Sequence, residues 1–169
     1  MELIVAHPLV VPDTPLTLDA LEGAIYAWGM AIMQRAFTEA WEAQASVRPP
    51  VACPACQSGD YRRAGRKARH IETRFGPVVV QRQRVCCRRC GRRFQPDDAL
   101  LVPALGAGRC TPAVRALAAQ CGASWPYPQA ARVIGMVRGT PLAAETIRQI
   151  VATTGAVVAY QYRAEATAA

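Results

Sequence analysis

Apolar residues between residues 16 and 45 recur with the period of an α-helix. One stripe alternates spacings of 3 and 4 residues, as in a heptad, and its members are Leu18, Leu21, Ile25, Trp28 and Ile32. A second stripe beside it consists of Tyr26, Met30, Met33, Phe37 and Trp41. The combined apolar face is too wide for a solitary surface helix, so we predict a long helix that packs against something.

The ends of this helix are also marked in the sequence. Thr14 is the expected N-cap and Pro15 the expected first-turn residue, while Pro49-Pro50 ends the segment and predicts a domain boundary. Two roles for the apolar face remain open. The helix either forms a homodimer through residues 16–45 or packs against the C-terminal helices of its own chain.

Two strand-length segments rich in β-branched residues follow, from His70 to Phe75 and from Val78 to Val85. The turn dipeptide Gly76-Pro77 lies between them and predicts a β-hairpin. With a two-residue loop, one face carries Ile71, Thr73, Phe75, Val78 and Val80. The same face continues toward the open end of the hairpin as Arg69, Arg82 and Arg84. One end of the hairpin is therefore expected to be apolar and the other basic.

Residues 97–109 contain Gly106 and Gly108 and predict a loop or short connection. Thr111-Pro112 then predicts the N-cap and first turn of a helix. The expected inward positions of that helix are Val114, Leu117, Ala118 and Cys121.

Two more helices are predicted, from about Pro128 to Val137 and from Ala143 onward, with a tight turn at 139–141. They have helix-turn-helix proportions, which an ordinary helical hairpin would share. In the helix-turn-helix interpretation, Ile147, Ile150 and Val151 pack inward. The positions facing a major groove would be Glu145, Arg148, Gln149 and Ala152, where arginine suits guanine and glutamine suits adenine.

The predicted architecture is α+β, mostly α. It combines a long N-terminal helix in residues 1–50, a zinc-ribbon β-hairpin in residues 51–98, and a helical bundle with a helix-turn-helix in residues 99–169.

Four cysteines in two Cys-x-x-Cys pairs flank the hairpin: Cys53 with Cys56, and Cys87 with Cys90. Each pair can aim two sulfurs at one point, and two pairs close a tetrahedral site with Zn–S distances of about 2.3 Å. We therefore predict one structural Zn²⁺. A rubredoxin-like iron centre would use the same donors. Cys86 could replace Cys87 as a ligand, although only Cys87 keeps the two-residue spacing.

Positive charge is concentrated in this cysteine segment. Of the 20 basic residues, twelve lie between residues 53 and 95, against only Asp60 and Glu72, in a chain of net charge +8. Such clustering predicts a double-stranded DNA partner. The expected hairpin contacts are Arg62, Arg63, Arg66, Lys67, Arg69, Arg82, Arg84, Arg88, Arg89, Arg92 and Arg93, with Glu145, Arg148 and Gln149 on the last helix.

Other features bear on location and catalysis. The odd cysteine count of 7 without an export signal, and the absence of a run of about 20 apolar residues, favour a reducing cytoplasm and no membrane span. Asp97 and Asp98 are adjacent loop acids rather than a separated catalytic set, so we expect no enzyme activity.

The ordered series of motifs resembles the N-terminal half of bacterial insertion-sequence transposases of the Kra type. The matching runs are C-P-A-C at 53–56, C-R-R-C-G-R-R-F-Q-P at 87–96, T-P-A-V-R-A-L-A at 111–118 and A-A-E-T-I-R-Q-I-V at 143–151. The resemblance implies an N-terminal helix, a zinc ribbon with ligands Cys53, Cys56, Cys87 and Cys90, and a DNA-reading helix at residues 144–152. Ala143 departs from the capping serine usual in that family.

In those transposases a catalytic domain with an acidic triad follows, whereas this chain ends at Ala169. We therefore expect a truncated transposase that recognises transposon-end DNA without catalysing strand transfer. The alternatives are a zinc-ribbon transcriptional regulator or protein-interaction module unrelated to transposition, and an iron electron carrier.

Overall fold

The structure is a computed structural model and describes residues 15–44, 51–106 and 108–155. The chain forms two compact units, Met1–Thr111 and Pro112–Ala169. The described part contains five helices and one three-stranded antiparallel sheet, which confirms the α+β class. The predicted division at residues 50/51 and 98/99 stays a prediction.

The first unit begins with helix α1, Leu18–Ala43, which confirms the long N-terminal helix. Its N-cap is Thr17, whose backbone is extended and whose hydroxyl accepts a hydrogen bond from the amide of Ala20 at 3.3 Å. Pro15 therefore precedes the helix rather than occupying its first turn. The predicted cap Thr14 and the predicted break at Pro49-Pro50 lie outside the described residues.

The sheet consists of β1, Tyr61–Thr73; β2, Gly76–Cys87; and β3, Arg93–Phe94, in that order. Thr73 pairs with Gly76, so the hairpin turn falls on residues 74–75 and the prediction of a Gly76-Pro77 loop is wrong. The Thr73 hydroxyl fixes this turn, because it accepts from the amide of Phe75 at 3.1 Å and donates to the Gly76 carbonyl at 2.7 Å. Gly76 adopts φ 93°, which other residues rarely reach.

The apolar face of the hairpin was largely predicted. Ile71, Thr73, Val78 and Val80 are buried together, whereas Phe75 lies in the turn. Phe37 and Trp41 of α1 pack against this cluster. The side-chain amide of Gln34 also donates to the Phe75 carbonyl at 2.6 Å. The C-terminal half of α1 is thereby fixed to the turn end of the hairpin.

The predicted loop at 97–109 is wrong, because residues Asp98–Leu105 form helix α2. Leu101 and Leu105 lie one helical turn apart and are both buried against the hairpin cluster. The helix has only 8 residues and contains Pro103, so its periodicity was hidden in the sequence.

Burial along β2 changes sides part-way. Residues 76, 78, 80 and 82 are buried, and then the buried positions become Val85 and Cys87. Since successive strand residues point to opposite faces, the two sets lie on opposite faces of β2. The partner strand has a bulge between Arg63 and Arg66 at this point. The hairpin thus has one core under α1 and another, on its other face, at the cysteine end.

The second unit is helical. It contains α3, Pro112–Ser124; α4, Tyr127–Arg138; and α5, described over residues 144–155. Gly139 ends α4 in the left-handed conformation at φ 69°, as a helix C-terminus favours. The fully buried apolar side chains are Val114, Ala118, Ala130, Ile134 and Ile147. The predicted helices and most of their inward positions are confirmed; Leu117 and Val151 are only half-buried.

Candidate metal centre

The first cysteine knuckle lies before β1. The amide of Gln57 donates to the Cys53 carbonyl at 2.9 Å, and the amide of Cys53 donates to the Ser58 carbonyl at 2.9 Å. These two bonds close a tight loop around Cys53. Gln57 adopts φ 58° to complete it, a left-handed conformation that costs a residue with a side chain about 1 kcal/mol.

The second knuckle repeats the same pattern after β2. The amide of Gly91 donates to the Cys87 carbonyl at 3.0 Å, and the amide of Cys87 donates to the Arg92 carbonyl at 2.9 Å. Gly91 has φ 73° and stands at the position equivalent to Gln57. The two loops therefore have one backbone design, with glycine in one and glutamine in the other.

The knuckles bring four sulfurs together. The Sγ atoms of Cys53 and Cys90 are 3.6 Å apart, as are those of Cys56 and Cys87. All four lie within 4.8 Å of one another. Tetrahedral coordination with bonds of about 2.3 Å places sulfurs roughly 3.8 Å apart. The donor set and its spacing therefore fit a single four-thiolate metal ion.

The second core of the hairpin anchors this cluster. Cys53 and Cys87 are almost fully buried beside Val85 and Phe94. The ring of Tyr61 meets Phe94 edge to face, with centroids 5.7 Å apart. Two of the sulfurs are thus part of a packed core, which is typical of a structural rather than a catalytic site.

The local backbone sets the ionisation of these thiols. The amide of Ala55, assisted by that of Cys56 and by neighbouring sulfurs, lowers the pKa of Cys53 to about 7 despite its burial. The amide of Cys90 likewise lowers the pKa of Cys87. The amide of Arg92 acts to lower the pKa of Cys90, but burial and the adjacent sulfurs raise it to about 12. The thiolate form is therefore favoured at the buried pair, Cys53 and Cys87.

Cys87, not Cys86, belongs to the cluster. The Cys86 sulfur lies 3.4 Å from the Gly91 carbonyl and is outside the group of sulfurs that surround one point. Cys110 and Cys121 are buried elsewhere. The sequence spacing therefore predicted correctly which four cysteines lie close enough together to bind one metal ion.

The predicted DNA-contacting side chains of the hairpin differ in their exposure and contacts. Those exposed to solvent are Arg62, Arg63, Arg66, Lys67, Arg88, Arg89, Arg92 and Arg93. Arg84 is half-buried. The remaining two, Arg69 and Arg82, have contacts inside the unit.

Arg82 and Arg69 connect the hairpin to α2 instead of forming a free basic surface. Arg82 is only 8% exposed and its guanidinium contacts Asp98 at 2.5 Å. Arg69 donates to the Gly108 carbonyl at 3.2 Å and lies 3.8 Å from Asp98. Asp97 accepts the amide of Gln83 at 2.8 Å. The two aspartates predicted as loop acids therefore fix α2 on the sheet.

The predicted reading positions on α5 are exposed and contact one another. Glu145 accepts two hydrogen bonds from Arg148, both 2.7 Å, and one from Gln149 at 2.9 Å. The Arg148 hydrogen bonds, followed by that of Gln149, lower the pKa of Glu145 to about 2. Glu145 in turn raises the pKa of Arg148. The three side chains form an ordered polar array on an exposed helix face.

Two contributors to the site were missed by sequence reasoning. Gln57 gave no signal, because only glycine and asparagine commonly mark a left-handed position. Asp60 joins the two knuckles: its carbonyl accepts the Arg88 amide at 3.0 Å and its carboxylate lies 3.5 Å from the Arg88 guanidinium. Its acidic charge, one of only two in this arginine-rich segment, was the available clue.

Within the described residues, no helix has the length and apolar character that crossing a membrane requires. Comparison of the sequence with protein-family models gave no match, and comparison with curated proteins gave none at the significance required.

Proposed function

We propose that this chain is a zinc-dependent DNA-binding protein in which the metal fixes the basic end of the hairpin. Cys53, Cys56, Cys87 and Cys90 would hold the ion, which would supply a rigid cross-link between the two knuckles. The observation that carries the proposal is the concentration of exposed cations around this cross-link.

The exposed cations come from two parts of the chain that the fold brings together. Arg62 and Arg63 pair in the sheet with Cys86 and Val85, at the end of β2 that leads into the second knuckle. Arg66 and Lys67 continue along β1, and Arg88, Arg89, Arg92 and Arg93 surround the knuckle itself. Phosphates are the partner that such a surface recognises, since each neutralised phosphate releases bound counterions.

The exposed array on α5 suits base recognition in the same proposal. Arginine can bind guanine, and glutamine can bind adenine, each through two hydrogen bonds. Arg148 and Gln149 are held by Glu145, so their donors are already ordered before DNA arrives. Preorganised side chains lose less freedom on binding.

The target within this proposal is transposon-end DNA, with the chain acting as the N-terminal part of an insertion-sequence transposase. The order of the motifs along the sequence supports this assignment of the target. In this function the described residues bind DNA and take no part in strand transfer, consistent with Asp97 and Asp98 being engaged in packing α2.

Titration of the zinc-loaded protein onto fluorescent duplexes tests the proposal. We expect tighter binding to terminal repeats than to scrambled duplexes, with affinity falling steeply as salt rises. Binding without salt dependence, or equal affinity for both duplexes at every salt concentration, would reject end recognition. Metal analysis of the same sample separates zinc from iron.

Three substitutions assign the contacts. Arg66→Ala should weaken binding to all duplexes alike and reduce the salt slope by about 1. Arg74→Ala is the matched control, because Arg74 is an exposed arginine in the turn at the opposite end of the hairpin. Arg148→Ala should instead reduce the preference for the terminal repeats. Equal losses from Arg66→Ala and Arg74→Ala would contradict a surface at the cysteine end.

A further inference from the structure

The four clustered cysteines differ in their access to solvent. Cys53 and Cys87 are almost fully buried, Cys56 is half-buried, and Cys90 is the exposed member of the cluster. A thiol that coordinates a metal ion is deprotonated, so in the metal-loaded protein access decides which sulfur a dissolved oxidant meets first. That sulfur belongs to Cys90.

The sulfur contacts of 3.6 Å in the cluster join one knuckle to the other. The Sγ atom of Cys90 lies 3.6 Å from that of Cys53, and the same distance separates the Sγ atoms of Cys56 and Cys87. A disulfide bond has a length of about 2.0 Å, so either pair has to close by roughly 1.6 Å to form one. Because Cys90 is exposed, its side chain can supply most of this movement while Cys53 stays in its core.

Cys86 is a nearby thiol that does not belong to the cluster. Successive residues of a strand point to opposite faces, so the Cys86 side chain lies on the face of β2 opposite to Cys87. Its sulfur lies 3.4 Å from the Gly91 carbonyl, outside the group of four. Cys86 therefore serves as a matched control for the chemistry of the clustered thiols.

We propose that the metal centre is a peroxide-sensitive site, in which Cys90 is oxidised first and then forms a disulfide with Cys53. The Cys90 thiolate attacks one oxygen of hydrogen peroxide; an S–O bond forms, the O–O bond breaks, and the departing hydroxide takes up a proton to become water. The Cys53 thiolate then attacks the Cys90 sulfur; the S–S bond forms, the S–O bond breaks, and the second oxygen leaves as hydroxide, which is protonated to water. The two thiolates lose two electrons in all, and these reduce the peroxide to water.

Formation of this disulfide removes half of the metal ligands. Cys56 and Cys87 remain, whereas a structural zinc site uses four ligands, so the ion is released. One covalent bond then joins the knuckles in place of the metal. The inference rests on the metal site of the proposed function, and it makes the basic end of the hairpin responsive to oxidants.

Treatment of the zinc-loaded protein with hydrogen peroxide tests the proposal. A chromogenic chelator measures zinc release, and mass spectrometry of a non-reduced digest identifies the disulfide. We expect one zinc ion to be released for each Cys53–Cys90 disulfide that forms, and zinc binding to recover after treatment with a thiol reductant. Zinc retained under peroxide, or a first disulfide between any other two cysteines, would overturn the proposal.

Metal content measured before oxidation distinguishes this proposal from the proposed function. A protein that binds no zinc would contradict the metal site and this inference with it. A zinc-loaded protein that peroxide leaves unchanged would overturn the inference alone and leave the metal site standing.

Two substitutions test the order of attack. Cys90→His keeps a metal ligand and removes the exposed thiolate, since histidine replaces one cysteine in many structural zinc sites. This variant should release zinc several-fold more slowly under peroxide, whereas Cys86→Ser should release it at the wild-type rate. Release from Cys90→His at the wild-type rate would overturn Cys90 as the first sulfur attacked. If Cys90→His binds no zinc, the disulfide identified in the wild type decides the proposal.

Discussion

The two cysteine knuckles use different residues for one backbone requirement. Gln57 and Gly91 both occupy the left-handed region immediately after the second cysteine of a pair. A side chain there is disfavoured because its Cβ approaches the following carbonyl oxygen. The strain at Gln57 persists because the hydrogen bonds around Cys53 fix the loop.

Substitutions at these two equivalent positions are expected to differ in their effect on stability. Gly91→Ala should lower the free energy of unfolding of the metal-loaded protein by about 1 kcal/mol, since a Cβ there would have space but the wrong backbone angle. Gln57→Gly should be neutral or stabilising, because strain relief offsets the added freedom of the unfolded chain. Chemical denaturation measures both. Equal destabilisation by the two substitutions would contradict the shared backbone design.

The clustering of the four cysteines was predictable because the spacing within each pair is local. The two-residue spacing identified Cys53, Cys56, Cys87 and Cys90 without knowledge of the fold. The fate of Arg82 was not predictable, because its partner Asp98 belongs to a helix that the sequence did not reveal. A charge run indicates a surface only after the packing partners are known.

Elements were predicted where a periodic apolar pattern extends over many residues. They were missed where the element is short and tertiary packing stabilises it. Helix α1 has 26 residues and was predicted from its stripes, whereas α2 has 8 residues and is stabilised by Leu101 and Leu105 against the sheet. The predicted hairpin turn was two residues too late in the sequence, because the Thr73 hydroxyl and not the Gly76-Pro77 dipeptide sets the turn. Tertiary contacts decided each of these cases.

Replacement by alanine is expected to change stability differently at two helical glycines of the second unit. A Cβ at Gly122 of α3 would lie 2.6 Å from Val151 Cγ2 and 2.9 Å from Ile147 Cγ2, so α3 and α5 would have to move apart. A Cβ at Gly135 of α4 would meet Pro141 at 3.4 Å, an ordinary contact. Both gain about 1 kcal/mol of helix propensity. Gly135→Ala should therefore stabilise the protein.

The clash should make Gly122→Ala less stable than Gly135→Ala by about 1–3 kcal/mol. Chemical denaturation followed by circular dichroism measures the difference. Because the change in helix propensity is similar in both variants, the comparison isolates packing. Equal stability of the two would show that α3 and α5 are not in close contact at Gly122.

The fold of the whole molecule depends on which helices and strands pack together, and the types of these elements alone do not determine this. The sequence placed the N-terminal helix and the hairpin in separate segments, but Phe37 and Trp41 pack on the hairpin within one compact unit. A stripe shows that a helix must pack and does not show against what. The division into Met1–Thr111 and Pro112–Ala169 follows from tertiary contacts that no local pattern contains.

Removal of the metal is expected to unfold the cysteine end of the first unit and leave the second unit folded. Cys53 and Cys87 form half of the buried cluster at that end, so loss of the ion leaves the cluster without its cross-link. Structural zinc contributes about 10–16 kcal/mol in small zinc domains, comparable to or above the roughly 5–15 kcal/mol that stabilises a whole domain. The second unit has its own core, which includes Val114, Ile134 and Ile147.

Heteronuclear NMR with and without a strong chelator measures this difference, because each unit has its own amide signals. Cys87→Ser should reproduce the chelated spectrum, whereas Cys86→Ser, the matched control one residue away and outside the sulfur cluster, should keep the metal-loaded spectrum. Dispersed signals should persist for α3, α4 and α5 under every condition. Unchanged hairpin signals after chelation would contradict a structural metal, and loss of both sets of signals would mean that the second unit depends on the first for its fold.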